Sequence, residues 1–171
     1  WSKTLFTLCL LFGGFAALVY FQPLKALGLL TPPIGYNKVA DLSYGPNPRN
    51  QLDVYTPTNM QTPAPVVVFF YGGSLVAVVA DYRLYPEVRY PDFLLDAAQA
   101  VAWTQQHIAR YGGDPQQLFL MGHSAGAYNA AMLALDARQL AHVQLTPNSI
   151  RGWIGLAGPY DFIPLTNPRS R

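Results

Sequence analysis

The sequence predicts an α/β fold, a mostly parallel sheet flanked by helices, and three observations carry that prediction. Two continuous runs rich in β-branched and aromatic residues, Val66 to Tyr71 and Leu75 to Asp81, read as strands buried on both faces. A long segment of helical period, Pro91 to Tyr111, comes after them. Strand, helix and strand then alternate at Leu118 to Met121, Ser124 to Leu140 and Ile150 to Leu156. Such alternation brings strands side by side in parallel through helical crossovers.

The elements are taken in chain order. Between Lys3 and Lys25 there is no charge, and Leu5 to Phe21 is almost wholly apolar. At 1.5 Å per residue that run approaches the roughly 30 Å of a bilayer core. Residues 1–24 are therefore expected to form an N-terminal transmembrane helix, a signal anchor in the lipid bilayer. A cleaved signal peptide is the competing reading, but Leu18-Val19-Tyr20-Phe21 carries no small-x-small cleavage pattern. A buried core helix is disfavoured by Gly13-Gly14 and by the absence of an upstream packing partner. Lys3 ahead of the span places the N-terminus in the cytoplasm and the domain outside, periplasmic or extracytoplasmic, although Lys25 opposes that bias. The chain starts at Trp1 rather than Met, so preceding sequence is expected. Pro23 to Tyr36, with Pro32-Pro33 and Gly35, reads as a linker, here bounded as residues 25–36, and a partial catalytic domain is expected over 37–171.

Val39 to Tyr44 and Gln51 to Tyr55 alternate apolar and polar residues around Gly45-Pro46-Asn47-Pro48, the pattern of an edge hairpin. Along Pro91 to Tyr111, Leu94, Leu95, Ala98, Val101, Ala102 and Ile108 share one side, with Pro at the start and Gly112-Gly113 past the end. No internal repeat is present.

Composition narrows the function classes. The 171 residues are 51% apolar and 12% charged, which suits one domain with a real core. A net charge of +2 without a basic run provides no electrostatic footprint for nucleic acid. Cys9 is the sole cysteine, so neither an intramolecular disulfide nor a cysteine-rich metal site can form. Lipidation of Cys9 is disfavoured because Phe6-Thr7-Leu8 lacks the small residues of a lipoprotein cleavage site, and an apolar filler is the better reading.

Gly122-His123-Ser124-Ala125-Gly126 matches G-x-S-x-G, with an apolar strand before it and a helix directly after it. A serine on that strained turn needs small residues two before and two after, and the helix N-terminus behind it favours developing negative charge. Ser124 is the expected nucleophile; the bland alternative is a glycine-rich turn or helix N-cap. Acyl transfer also needs backbone donors for the tetrahedral oxyanion. Tyr71-Gly72-Gly73-Ser74 follows a buried strand, and the N–H of Gly72 or Gly73 could join that of Ala125. By spacing alone this stretch is equally a tight turn; its value comes from standing beside Ser124.

From about Val39 to Phe162 the chain resembles the bacterial α/β-hydrolase group that includes carboxylesterases and kynurenine-formamidase-like enzymes. The resemblance is carried by the Tyr-Gly-Gly-Ser loop, Asp81-Tyr82-Arg83-Leu84-Tyr85-Pro86-Glu87, Gly112-Gly113-Asp114-Pro115, the serine motif, and Gly158-Pro159-Tyr160-Asp161-Phe162. It implies an eight-stranded sheet, a Ser-Asp-His triad in that order, no metal and no organic cofactor, and hydrolysis of small acyl esters or related bonds. Tyr71 departs from the usual His of the oxyanion loop.

Two further departures matter. Parallel neighbours need a crossover of about a dozen residues or more, yet three residues separate Tyr71 from Leu75. We expect a segment to be missing after Ser74; the alternative is a hairpin or one bent strand. The triad Asp and His of the family lie beyond Arg171. Asp161 resembles the acid of a loop, and its simplest role is turn or helix capping. None of His107, His123 and His142 is expected to reach Ser124, so the chain alone should be inactive, and a non-catalytic hydrolase-like binding domain is the rival to an ester hydrolase.

Overall fold

The structure, a computed structural model, describes residues 34–59, 63–71 and 78–161. The chain divides after Gly35, and the second unit, Tyr36–Arg171, holds all the described elements. The expected transmembrane segment, residues 1–24, lies outside the described residues. Among those that are described, no helix is long and apolar enough to cross a membrane.

Six strands form one sheet in the order β1-β2-β4-β3-β5-β6. β1 (Tyr36–Ser43) and β2 (Gln51–Pro57) make the expected antiparallel hairpin at one edge. β3 (Ala64–Phe70), β4 (Val78–Ala80), β5 (Gly113–His123) and β6 (Gly152–Leu156) run parallel to one another, so their C-terminal ends share one edge of the sheet. The run expected as a strand from Leu75 to Asp81 is strand over Val78–Ala80, and Leu75 to Ala77 lie outside the described residues. β3 and β4 pair in parallel with Phe70 opposite Ala80, which excludes both a hairpin and a single bent strand.

β5 is longer than the four residues expected, because Gly113 already pairs with Ala64 across the sheet. The helix predicted over Pro91 to Tyr111 is α1 (Asp92–His107) followed by a 3-10 turn to Tyr111. Gly112 ends it with φ 81°, a left-handed conformation that glycine adopts without a Cβ penalty. The single helix expected from Ser124 to Leu140 is two, α2 (Ala125–Leu135) and α3 (Ala137–Ala141). The break is at Asp136, whose backbone is extended and whose carboxylate accepts from the Arg138 N–H, an N-cap in mid-sequence.

Val66, Val68, Phe70, Leu118 and Leu120 turn one sheet face onto Ala97, Ala98 and Val101 of α1, Ala130 and Leu133 of α2 and Leu140 of α3, and all are buried. The expectation that the central strands are buried on both faces needs correction. The alternating residues Val67, Phe119 and Met121 are half-buried, with Phe69 the buried exception, because the described helices pack together on one side.

Candidate active site

Ser124 stands where β5 passes into α2, at the C-terminal edge of the parallel strands. Its φ of 55° and ψ of −123° are a strained backbone for a residue with a side chain. Three hydrogen bonds hold it there: its N–H donates to Leu156 O at 2.9 Å, and its carbonyl accepts from Ala127 N at 3.0 Å and from Tyr128 N at 3.4 Å. The turn closes because Gly122 and Gly126 lack side chains. A Cβ on Gly122 would overlap the Gly126 carbonyl, and one on Gly126 would overlap the Phe70 carbonyl at the end of β3. Both glycines are buried, while Ser124 and Ala125 are exposed, so the hydroxyl is presented at a crest backed by a helix N-terminus. Among the described residues no backbone carbonyl accepts from Ala125 N–H, which leaves that donor free for an anion.

Gly72 and Gly73, the other expected oxyanion donors, lie outside the described residues. Tyr71 just before them is described, and a Cβ on Gly126 would come within 3.1 Å of its nitrogen, so the exit of β3 runs directly against the serine turn. The Tyr71 hydroxyl donates to Asp81 Oδ1 at 2.9 Å, and Arg49 Nη2 donates to the same oxygen at 2.7 Å. The buried Tyr82 hydroxyl donates to Tyr71 O at 3.2 Å, and Arg49 Nε donates to Tyr82 O, also at 3.2 Å. Burial first, then the hydrogen bond to the Asp81 carboxylate, pushes the Tyr71 phenol up to about 12. Burial likewise pushes Tyr82 up to about 12, so both stay hydrogen-bond donors at any physiological pH.

This network was missed in the sequence. Asp81 and Tyr82 belong to a stretch that carries the family resemblance but no assigned role, and Arg49 sits in a turn 32 residues before Asp81 with nothing in its neighbours to single it out. Asp161 is exposed beyond β6 and has no described hydrogen bond or ion pair.

Among the described residues no histidine is hydrogen-bonded to Ser124. His123 precedes the serine turn and is exposed. His107 ends α1, stacked on Trp103 at 4.6 Å with Nδ1 2.7 Å from Trp103 O. It lies six residues before β5, whose 11 residues span about 30 Å to Ser124. His142 follows α3, beyond the helix break at Asp136. It shares a cavity with Trp103 and Gln106, near His107.

Comparison with known proteins agrees with this geometry. Residues 71–169 match the alpha/beta hydrolase fold family. A probable isoprenylcysteine alpha-carbonyl methylesterase of Arabidopsis thaliana is 32% identical, over 72% of this chain and 31% of that protein. The esterase LipC of Mycobacterium tuberculosis is 30% identical over 73% of this chain and 38% of its own length. Among solved structures, a bacterial heroin esterase matches with a TM-score of 0.63 at 23% identity, covering 86% of this chain and 54% of that one, a likeness of fold. The chain spans 31% to 44% of the length of the plant methylesterases it matches. The family match, on a sheet of this order with a strained serine between strand and helix, shows that the chain belongs to the α/β-hydrolase fold family.

Proposed function

We propose that this chain carries the nucleophilic part of a carboxylic ester hydrolase. Ser124 Oγ bonds to the ester carbonyl carbon, and the charge gathering on the carbonyl oxygen is taken by the Ala125 N–H together with that of Gly72 or Gly73. Collapse of the tetrahedral adduct expels the alcohol, and water then frees the acid and returns the serine. The Oγ proton needs a general base, and none of His107, His123 and His142 is hydrogen-bonded to Ser124 among the described residues. The base and its Asp partner therefore belong to sequence other than the described residues. The observation that carries the reading is the strained Ser124 backbone at the strand-to-helix junction, a conformation maintained at a cost of about 1–3 kcal/mol and concentrated at functional sites. Relatives named as esterases and methylesterases support the class of reaction.

The test is covalent labelling of the whole gene product by a fluorophosphonate, which reports an activated serine at an oxyanion hole. Labelling should be abolished in Ser124→Ala with the far-UV spectrum unchanged, since one exposed hydroxyl is removed. Persistent labelling would move the nucleophile elsewhere, and no labelling of the wild type would favour the binding domain. The charge-free stretch between Lys3 and Lys25 supports a further reading, attachment of residues 1–24 to the bilayer with this domain outside the cytoplasm.

A further inference from the structure

Two departures from ordinary folding chemistry meet at a cleft whose lining includes no residue of the serine turn. The first is on α1, where Gln99, Trp103 and Gln106 share one face at spacings of four and three residues. Gln99 Oε1 is buried and has no hydrogen-bond partner among the described residues. It is held against the β1–β2 turn, since a Cβ on Gly45 would stand 2.9 Å from it. A buried carbonyl oxygen without a donor is an uncompensated desolvation, so a sequence under no other demand would place an apolar residue here. The second departure ends α3. Leu145 N–H donates to Leu140 O at 3.0 Å and Gln144 N–H to Ala141 O at 3.1 Å, which closes the helix with Gln144 at φ 60°. Glycine holds that left-handed position without a Cβ penalty, and glutamine does not. Both glutamines line one open cleft of about 360 Å³, together with Tyr44, Trp103, Gln106 and His142. Ligand sites occupy about 300–1,000 Å³.

The lining determines the chemistry of the ligand. No Asp, Glu, Lys or Arg takes part, so nothing in the cleft would compensate the desolvation of a charged molecule. The Tyr44 hydroxyl is already engaged, donating to Asp81 O and receiving Asn50 Nδ2 at 3.3 Å. That leaves the amides of Gln99, Gln106 and Gln144 and the imidazole of His142 as the polar side chains. Each offers N–H donors, and all but the Gln99 amide, whose oxygen is buried, offer an acceptor beside them. Ala102, Trp103 and Val143 supply an apolar surface between them, and His107, stacked on Trp103 at 4.6 Å, fixes the plane of the indole. A sugar ring divides in the same way, with hydroxyls around its rim and C–H groups on its face. We propose that this cleft binds a neutral sugar unit, its hydroxyls on the Gln99 amide nitrogen, Gln106, Gln144 and His142 and its apolar face on Trp103. The orphaned oxygen and the left-handed glutamine are then local rules broken at a binding site, where such breaches concentrate. The site is separate from Ser124 and holds its ligand without turning it over.

The test is saturation-transfer difference NMR on the whole gene product, with glucose, galactose, xylose, maltose and cellobiose as probes and glucuronate and glucosamine as charged controls. At least one neutral sugar should receive saturation, and the charged ones should bind at least about tenfold more weakly. Gln99→Met and Gln106→Ala should each weaken binding about 2-fold to 10-fold, the loss of one hydrogen bond. Gln99→Met should also raise Tm by about 2–4 °C, because it removes the orphaned carbonyl, so its lost binding cannot be a folding defect. Gln144→Gly should likewise weaken binding and raise Tm. Ser124→Ala should bind the sugar as the wild type does. Saturation of no neutral sugar, binding unchanged in all three glutamine variants, or charged sugars bound as tightly as neutral ones would each overturn the proposal. A lowered Tm in Gln99→Met would show that the amide serves the fold, and would overturn it as well.

Discussion

Asp96 illustrates how much one side chain can carry without any part in the chemistry. It lies on α1 at 1% exposure and receives three hydrogen bonds from Arg83, from the backbone N–H, Nε and Nη2, at 2.8 to 3.0 Å. Hydrogen bonding to that carboxylate raises the Arg83 guanidinium above its usual value. The bond ties the loop after β4 to the helix that covers the sheet. Removing one partner of a buried ion pair leaves the other uncompensated, typically at about 3–5 kcal/mol. Asp96→Ala should cost near the lower end, about 3 kcal/mol, because Arg83 keeps 28% side-chain exposure. Denaturant unfolding measures it, and a loss under about 1 kcal/mol would contradict this account. The sequence hinted at Arg83 through the Asp81-Tyr82-Arg83 motif, but the partner 13 residues on, in a helix, was chosen by the fold.

The β1–β2 hairpin is the element with the clearest electrostatic design. β1 is exposed along nearly its whole length and forms a sheet edge. A bulge interrupts its register between Val39 and Leu42, where Asp41 adopts φ 57°, and such irregularity guards an edge against pairing with another chain. Asp53 on β2 secures the bulge, accepting from Asp41 N at 2.9 Å and from Lys38 Nζ at 2.7 Å. Partial burial alone would raise the Asp53 carboxyl, but the bonds from Lys38 and Asp41 outweigh it and hold it below the usual carboxylate range. A depressed carboxylate contributes stability that is fully present above its unfolded value of about 3.9 and is lost as pH falls through the folded one. Lys38 is shifted upward by the same bond, so its share persists until pH rises past the usual lysine range. The hairpin should therefore loosen below about pH 4, by at most about 1 kcal/mol for so exposed a pair. Amide exchange along β1 should accelerate there, and Asp53→Asn should flatten the response. Equal acid sensitivity in Asp53→Asn would assign it to another group.

For the molecule as a whole, none of the histidines is hydrogen-bonded to Ser124 among the described residues. Ser124 lies at the C-terminal edge of the parallel strands, and His107 and His142 gather around the far end of α1. A general base must come within about 3.2 Å or act through one water. The purified 171-residue chain should therefore show little or no turnover of short p-nitrophenyl esters, beyond what an oxyanion hole alone supports. Robust turnover lost on Ser124→Ala would mean that a histidine does reach the serine.

Local pattern was enough to read the strands β3, β5 and β6, the hairpin, α1 and the serine turn, because each is dictated by neighbours in sequence. Unbroken β-branched runs have few alternatives to a buried strand, and a serine flanked by glycines between strand and helix has few alternatives to a tight turn. The same local reading overran α2 at Asp136, whose cap competes with the helix by a hydrogen bond that periodicity cannot display. It also buried both faces of the sheet, since apolar runs do not tell which face the helices cover. What the tertiary structure alone decided is which distant residues meet. The sheet order sets β4 between β2 and β3 and thereby brings Arg49, Asp81, Tyr82 and Tyr71 together. Those four are spread over 34 positions, from 49 to 82, and a hydrogen bond acts over about 3 Å, so no spacing rule along the chain could have announced them.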